Sequence, residues 1–301
     1  MKVNAGRYIA RMTWLSKLPG PLRALLPKRL RAEAPVVAVV RLTGAIGTAM
    51  PLRSGLSIAS VAPMLERAFT MRGARAVALV VNSPGGSPAQ SHLIFRRIRS
   101  LADEKTLPVL VFVEDAAASG GYMIACAGDE IFADPSSIVG SIGVVSASFG
   151  FDRFIERFGI ERRVHTAGTN KAMLDPFRPE NPDDIRRLED LQRHIHAVFI
   201  DLVRARRSAR LRSDDPDLFS GAFWVGQEAL ERGLVDGIGD LRTVLRARFG
   251  DKVRMRLVPP SRPTLLARLF TRPAFAPESL IDPREALGAL EERTLWARLG
   301  L

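Results

Sequence analysis

Apolar positions in this chain fall into short unbroken runs, set apart by glycine- and proline-rich turns and by longer amphipathic stretches. Residues 36–42, 76–81 and 109–113 are such runs. Each has strand length and little polar alternation, which predicts strands buried on both faces. Residues 57–71 carry a helical pattern, and another begins at Ala89. Residues 130–133 and 138–149 read as β segments, 151–158 as a short amphipathic helix ending at Gly159, and 161–165 as a strand. Asn181-Pro182-Asp183-Asp184 is a helix start with acids in the first turn, and that helix lasts to about Arg210. Residues 223–240 hold a strand and a helix ending at Gly233. The order predicts an α/β fold.

Two of the apolar runs end in paired glycines. Residues 76–81 lead into Asn82-Ser83-Pro84-Gly85-Gly86-Ser87-Pro88, and 109–113 into Ala117-Ala118-Ser119-Gly120-Gly121-Tyr122. Strand ends in open α/β sheets are where sites are built. A serine between a buried strand and a helix start is well placed as a nucleophile, because free N–H groups there can stabilise an oxyanion. The same position also suits a plain N-cap serine. Gly85-Gly86 either lets the backbone approach a ligand or simply makes a tight turn.

These stretches, with Gly140-Ser141-Ile142-Gly143-Val144 and the run from Trp224 to Asp236, resemble the S49 family of serine peptidases, signal peptide peptidase A type. The resemblance runs from about Val36 to Asp240. It implies a ClpP/crotonase-like fold of repeated ββα units and a Ser–Lys dyad. By resemblance Ser119 is the nucleophile and Lys171 the general base. Gly86 and Gly120 supply the oxyanion-hole N–H groups, and Ser141 positions the lysine. The implied substrates are extended apolar peptides, such as signal peptide remnants. The implied assembly is a homo-oligomeric ring whose active site is shared between subunits.

A serine hydroxyl needs a base nearby. None of the four histidines, His92, His165, His194 and His196, has a local signature placing it by Ser119. An amine serves as base only when neutral, which burial in an apolar pocket achieves. Among the lysines, Lys2, Lys17 and Lys28 belong to a basic arm, Lys105 to a charged turn, and Lys252 to the end of the core. Lys171 is left as the best candidate, although its own surroundings read equally as an exposed loop. Two alternatives stay open. One is a crotonase-type acyl-CoA enzyme, with Glu114 and Asp115 as candidate carboxylates. The other is a catalytically silent membrane-associated scaffold.

The 301 residues are 47% hydrophobic, enough for one sizeable core. They divide into a basic arm (1–34), the peptidase-like domain (35–260) and a proline-punctuated tail (261–301). In the tail Leu265, Leu266, Leu269 and Phe270 form an apolar patch, and 285–299 reads as an amphipathic helix. The net charge is +12, of which residues 1–32 carry +8 with no acid, leaving +4 elsewhere. Interleaved Tyr8, Met12, Trp14 and Leu15 suit that arm to peripheral contact with an anionic membrane. No apolar run reaches the ~20 residues of a bilayer span, and no signal peptide is visible. The expected location is cytoplasmic, or the cytoplasmic face of the membrane. The single cysteine, Cys126, excludes an intrachain disulfide and suits a reducing compartment. No metal-ligand spacing and no phosphate loop is present, so no cofactor is implied. Arg204 to Arg212 form a second basic cluster, read as a solvated helix end or subunit contact, and no nucleic-acid motif accompanies it.

Overall fold

The computed structural model describes residues 34–47, 55–212, 214–260, 290 and 292–301. The basic arm, apart from Ala34, and the apolar patch of the tail lie outside the described residues. The strands are β1 (Val36–Thr43), β2 (Ala74–Ser83), β3 (Val109–Ala118), β4 (Glu130–Ala133), β5 (Ile138–Gly140), β6 (Phe223–Val225), β7 (Gly237–Ile238) and β8 (Arg254–Leu257). They form one sheet in the order β6-β5-β3-β2-β1-β8, with β4 bonded to β3 and β7. Every pairing is parallel except β5 with β6. This is the mixed α/β architecture that the family resemblance implies.

The central strands are apolar at successive positions because both faces are covered. Val109, Val111 and Val113 join the main core with Val40, Leu42 and Leu79. Leu110 and Phe112 point the other way and pack with Val39, Val80 and Leu245. Each such side chain contributes roughly 1.5–3 kcal/mol on burial. β3 changes partner along its length. Leu110–Val113 pair with β4, and Ala116–Ala118 pair with β5. Its tip is therefore held between β2 and β5, and Ser119 follows directly.

The helices are α1 (Ile58–Phe69), α2 (Pro88–Lys105), α3 (Gly120–Ala125), α4 (Asp152–Arg157), α5 (Pro182–Arg207), α6 (Gly226–Glu231) and α7 (Leu241–Phe249). Their starts follow local chemistry. Ser57 and Ser60 form a reciprocal capping box on α1. Asn181 accepts from the Asp183 N–H, Pro182 occupies the first turn of α5, and Asp183 and Asp184 complement the helix dipole. Among residues 292–301, Trp296 and Leu299 pack on Ala116, Ala118 and Ile138, so this part of the tail docks on the sheet.

Three expectations need correction. The β segment over 138–149 stops at Gly140. Gly140 (φ 113°) and Ser141 (φ 53°) turn the chain out of the sheet, and Val145 and Phe149 are exposed beyond them. Residues 161–165 form no strand, because no described strand lies beside them to complete a ladder. The Arg204–Arg212 cluster is not simply a solvated end. Arg207 is 2% exposed and its guanidinium donates to Gly233 O and Asp236.

Candidate active site

Ser119 sits at φ 51°, ψ −121°, a conformation that costs a non-glycine residue roughly 1–3 kcal/mol. Its surroundings hold it there. Its N–H donates to Gly140 O at 2.8 Å, and its own carbonyl accepts from the Met123 N–H at 3.0 Å. The serine occupies the N-cap position of α3, yet its side chain makes no capping hydrogen bond. The hydroxyl is thus at a strand-to-helix turn without the structural duty that a cap serine performs.

The two glycine loops close on each other. A Cβ on Gly85 would stand 2.9 Å from the Ser119 Cβ, and one on Gly121 would stand 2.5 Å from Ser83 O. A Cβ on Gly120 would collide with Ser91 Oγ, and one on Gly86 with Ile46 O. The loop before α2 is fixed from below by the buried Ser83. Its hydroxyl donates to Gly44 O at 2.7 Å and accepts from the Gly85 N–H at 3.2 Å. Gly86 forms a parallel bridge with Ile46. The bridge bonds run from the Ile46 N–H to Gly85 O and from the Ser87 N–H to Ile46 O. That pattern leaves the N–H of Gly86 on the side away from Ile46. The N–H of Gly120, in the first turn of α3, has no intrahelical acceptor.

Gly86, Ser119 and Gly120 line one recess with Pro88, Met123, Gly143, Val144, Ile195 and Phe199. The sequence motifs contain the first three and also Pro88, Gly143 and Val144, and miss Met123, Ile195 and Phe199. Ile195 and Phe199 are four apart on α5, so a shared helix face is visible in the sequence, but not what it faces. Ser141 stands two residues before Gly143, and its N–H donates to Ala222 O at 2.7 Å. His196, on the same helix as Ile195, has its Nε2 3.0 Å from Ile142 O. It braces the 140s loop and does not line the recess with Ser119.

Lys171 is not brought to that recess within the chain. It lies exposed in a turn, where its N–H donates to Gly168 O at 3.3 Å. Glu114 and Asp115 are engaged elsewhere. Glu114 pairs with Arg41 at 2.5 Å, and Asp115 accepts from Asn82 Nδ2 at 2.6 Å. Neither lines the recess, so the carboxylate chemistry of an acyl-CoA enzyme has no support there.

Behind the recess α3 is wholly buried. The Tyr122 hydroxyl donates to Leu234 O at 2.8 Å. Burial raises the Tyr122 pKa well above its ordinary value and pushes the Cys126 thiol up to about 12. Cys126 is therefore a protonated core thiol and not a nucleophile.

A strained serine at a strand-to-helix turn, beside two unpaired backbone N–H groups, is the geometry that acyl-transfer enzymes of α/β fold build. The chain belongs to peptidase family S49, whose family model matches residues 102–252. It is 54% identical over 294 residues to a protein of Brucella abortus named Na(+)/H(+) antiporter NhaA, covering 94% of this chain and 39% of that one. It is 30% identical over 238 residues to the chloroplastic serine protease SPPA of Arabidopsis thaliana, covering 76% of this chain and 35% of that one. The chain thus spans well under half the length of both relatives. A solved structure of a membrane-bound stomatin-specific protease aligns with TM-score 0.46 at 17% identity, over 75% of this chain and 99% of its own. Among the described residues no helix is long and apolar enough to cross a membrane.

Proposed function

We propose that this chain is a serine endopeptidase. Ser119 Oγ attacks the scissile carbonyl, and the Gly86 and Gly120 N–H groups hold the oxyanion. Lys171 takes the serine proton and returns it to the leaving amine, with Ser141 positioning the lysine. An acyl-enzyme forms, and water releases it. The observation that carries this reading is the Ser119 backbone, held at φ 51° with its hydroxyl uncommitted to the helix it begins. The recess is about 20 Å³, room for little more than one water. A peptide would therefore lie across it in extended form. Met123, Val144, Ile195 and Phe199 favour apolar side chains there.

The base is supplied by a second copy of the chain. Lys171 is exposed, and its segment also exposes Phe149 (80%), Phe154 (58%), Phe158 (63%) and Ile160 (56%). So much apolar surface on one segment marks an interaction face. Covering it with a neighbouring subunit would give the amine the desolvation a base requires.

The test is hydrolysis of a fluorogenic peptide panel by wild type, Ser119→Ala and Lys171→Ala, followed by mixing of the two inactive variants. Each variant alone should lose at least about a thousandfold in kcat. Mixed assemblies should recover part of the activity, because some interfaces then pair an intact serine with an intact lysine. Full activity in Lys171→Ala would remove the lysine from the mechanism. Two inactive variants that do not complement would place serine and lysine in one chain.

A further inference from the structure

The far end of α3 is held by an arrangement that the reaction as described does not use. Cys126 caps this helix and Ala127 and Gly128 follow it, all three of them buried. The backbone N–H groups of Cys126, Ala127 and Gly128 satisfy Tyr122 O, Ile124 O and Ala125 O, while the carbonyls of the same three residues need partners from elsewhere. Here side chains satisfy all three. Arg206 Nε donates to Cys126 O and Arg206 Nη2 to Gly128 O, both at 2.9 Å. Arg99 Nη1 donates to Ala127 O at 3.0 Å. The two guanidinium groups share one carboxylate, with Asp129 Oδ1 2.9 Å from Arg99 and 3.5 Å from Arg206. Asp129 is itself fixed, because its other oxygen accepts from the Val109 N–H at 2.9 Å.

The origins of these side chains matter. Arg99 is on α2, the helix that follows Gly85 and Gly86. Arg206 is on α5, the helix that presents Ile195 and Phe199 to the recess. Asp129 is tied to the start of β3, the strand that ends at Ser119. The elements that build the site at one end are therefore bound together at the other. α3 is a single buried piece of six residues, roughly 9 Å long. A displacement of its last turn has nowhere to dissipate before it reaches Gly120.

We propose that Arg206, together with Arg99, is a positioning residue for peptide hydrolysis: by holding the carbonyls that cap and follow α3 it sets where Ser119 Oγ and the Gly120 N–H stand relative to Gly86. This rests on the reading of Ser119 as the nucleophile. The guanidinium touches neither substrate nor the reacting atoms. Its effect should therefore fall on the rate of the chemical step and spare peptide binding. Arginine is specific here because one planar group reaches two carbonyls and a carboxylate, whereas a lysine amine on the same stem reaches fewer.

The experiment compares full-length wild type, Arg206→Gln and Arg206→Lys. It measures kcat and KM on a fluorogenic peptide and the rate at which a fluorophosphonate labels Ser119, located by mass spectrometry. In Arg206→Gln, kcat and the labelling rate should fall together about tenfold, with KM within about twofold, as a misplaced reacting group requires. Arg206→Lys should lie between wild type and Arg206→Gln, and it carries the test if the glutamine variant does not fold. Folded variants that label and turn over at the wild-type rate, or that change only KM or only melting temperature, overturn the proposal. If fluorophosphonate does not label wild type at Ser119, or Ser119→Ala still hydrolyses peptide, the serine reading fails and this inference falls with it. Normal labelling in wild type and in Arg206→Gln removes the positioning role alone.

Discussion

Gly85 and Ser119 are packed so closely that a methyl group on the glycine would stand 2.9 Å from the serine Cβ and 3.0 Å from Ala118 O. The contact joins the tips of two neighbouring strands, β2 and β3. It is also why one paired-glycine loop presses on the other: neither has side-chain volume between it and the serine.

Gly85→Ala tests that contact. Gly85 has φ 104°, so the substitution adds backbone strain to a clash with immobile backbone. Gly73 has φ 78°, but a methyl group added there would meet nothing within 4 Å. Gly73→Ala should therefore cost only about 1 kcal/mol of stability and leave peptide hydrolysis intact. Gly85→Ala should cost more and lower kcat by about a hundredfold. Thermal melting and initial-rate assays on both variants decide it. Equal behaviour of the two would show that the close approach is unimportant.

The Cys126 thiol should be inert in the folded protein. With its pKa pushed up to about 12, almost no thiolate exists at pH 8. A disulfide reagent such as DTNB should find no reactive thiol in native protein. It should find one per chain after unfolding in guanidinium chloride. Rapid reaction in the native state would mean that α3 opens.

Tyr122→Phe removes the hydroxyl that satisfies Leu234 O in a water-free interior. The orphaned carbonyl should cost about 1–3 kcal/mol, read from denaturant unfolding. A cost near zero would show that another donor reaches Leu234.

Asp240 caps α7, its carboxylate accepting from the N–H groups of Arg242 at 2.8 Å and Thr243 at 3.0 Å. Its hydrogen bonds to Thr243 hold its pKa below the ordinary carboxylate value. A lowered folded-state pKa stabilises the protein above the unfolded-state value, and that stability is lost as pH falls through the folded one. Asp240→Ala should therefore cost about 1 kcal/mol at pH 7. The gap from wild type should close progressively as acid protonates the wild-type carboxyl. A difference that is unchanged between pH 7 and pH 3 would assign the cost to something other than the charge.

The buried strands are legible in the sequence because nothing but burial on both faces explains an apolar run such as 109–113 with no alternation. Ser119 is legible as an element tip for the same reason: the run before it and the glycines after it are strong local signals. What lies beyond is set by non-local partners. Residues 161–165 have strand-like composition, but no described strand lies beside them. β8, Arg-Met-Arg-Leu, is a strand with little apolar content, held through Val36–Val39 of β1. The arginines near the end of α5 look alike in sequence. Their partners lie elsewhere in the chain: Arg204 lies over the Phe219 ring, Arg206 reaches Cys126 O and Arg207 reaches Gly233 O. Lys171 is legible only through the family resemblance, because its own surroundings are those of any exposed turn lysine.

Phe199 and Arg206 are seven residues apart on α5, nearly two complete turns, which is why one helix can reach both the recess and the far end of α3. The spacing acts as a phase. Lengthening the helix by a single residue between them would rotate everything beyond by about 100° and carry it about 1.5 Å along the axis. Side-chain replacements along this stretch can be graded in effect; insertions and deletions cannot. Variation among natural and engineered versions of this segment should therefore be confined to substitution, with its length held constant between the wall of the recess and the arginine.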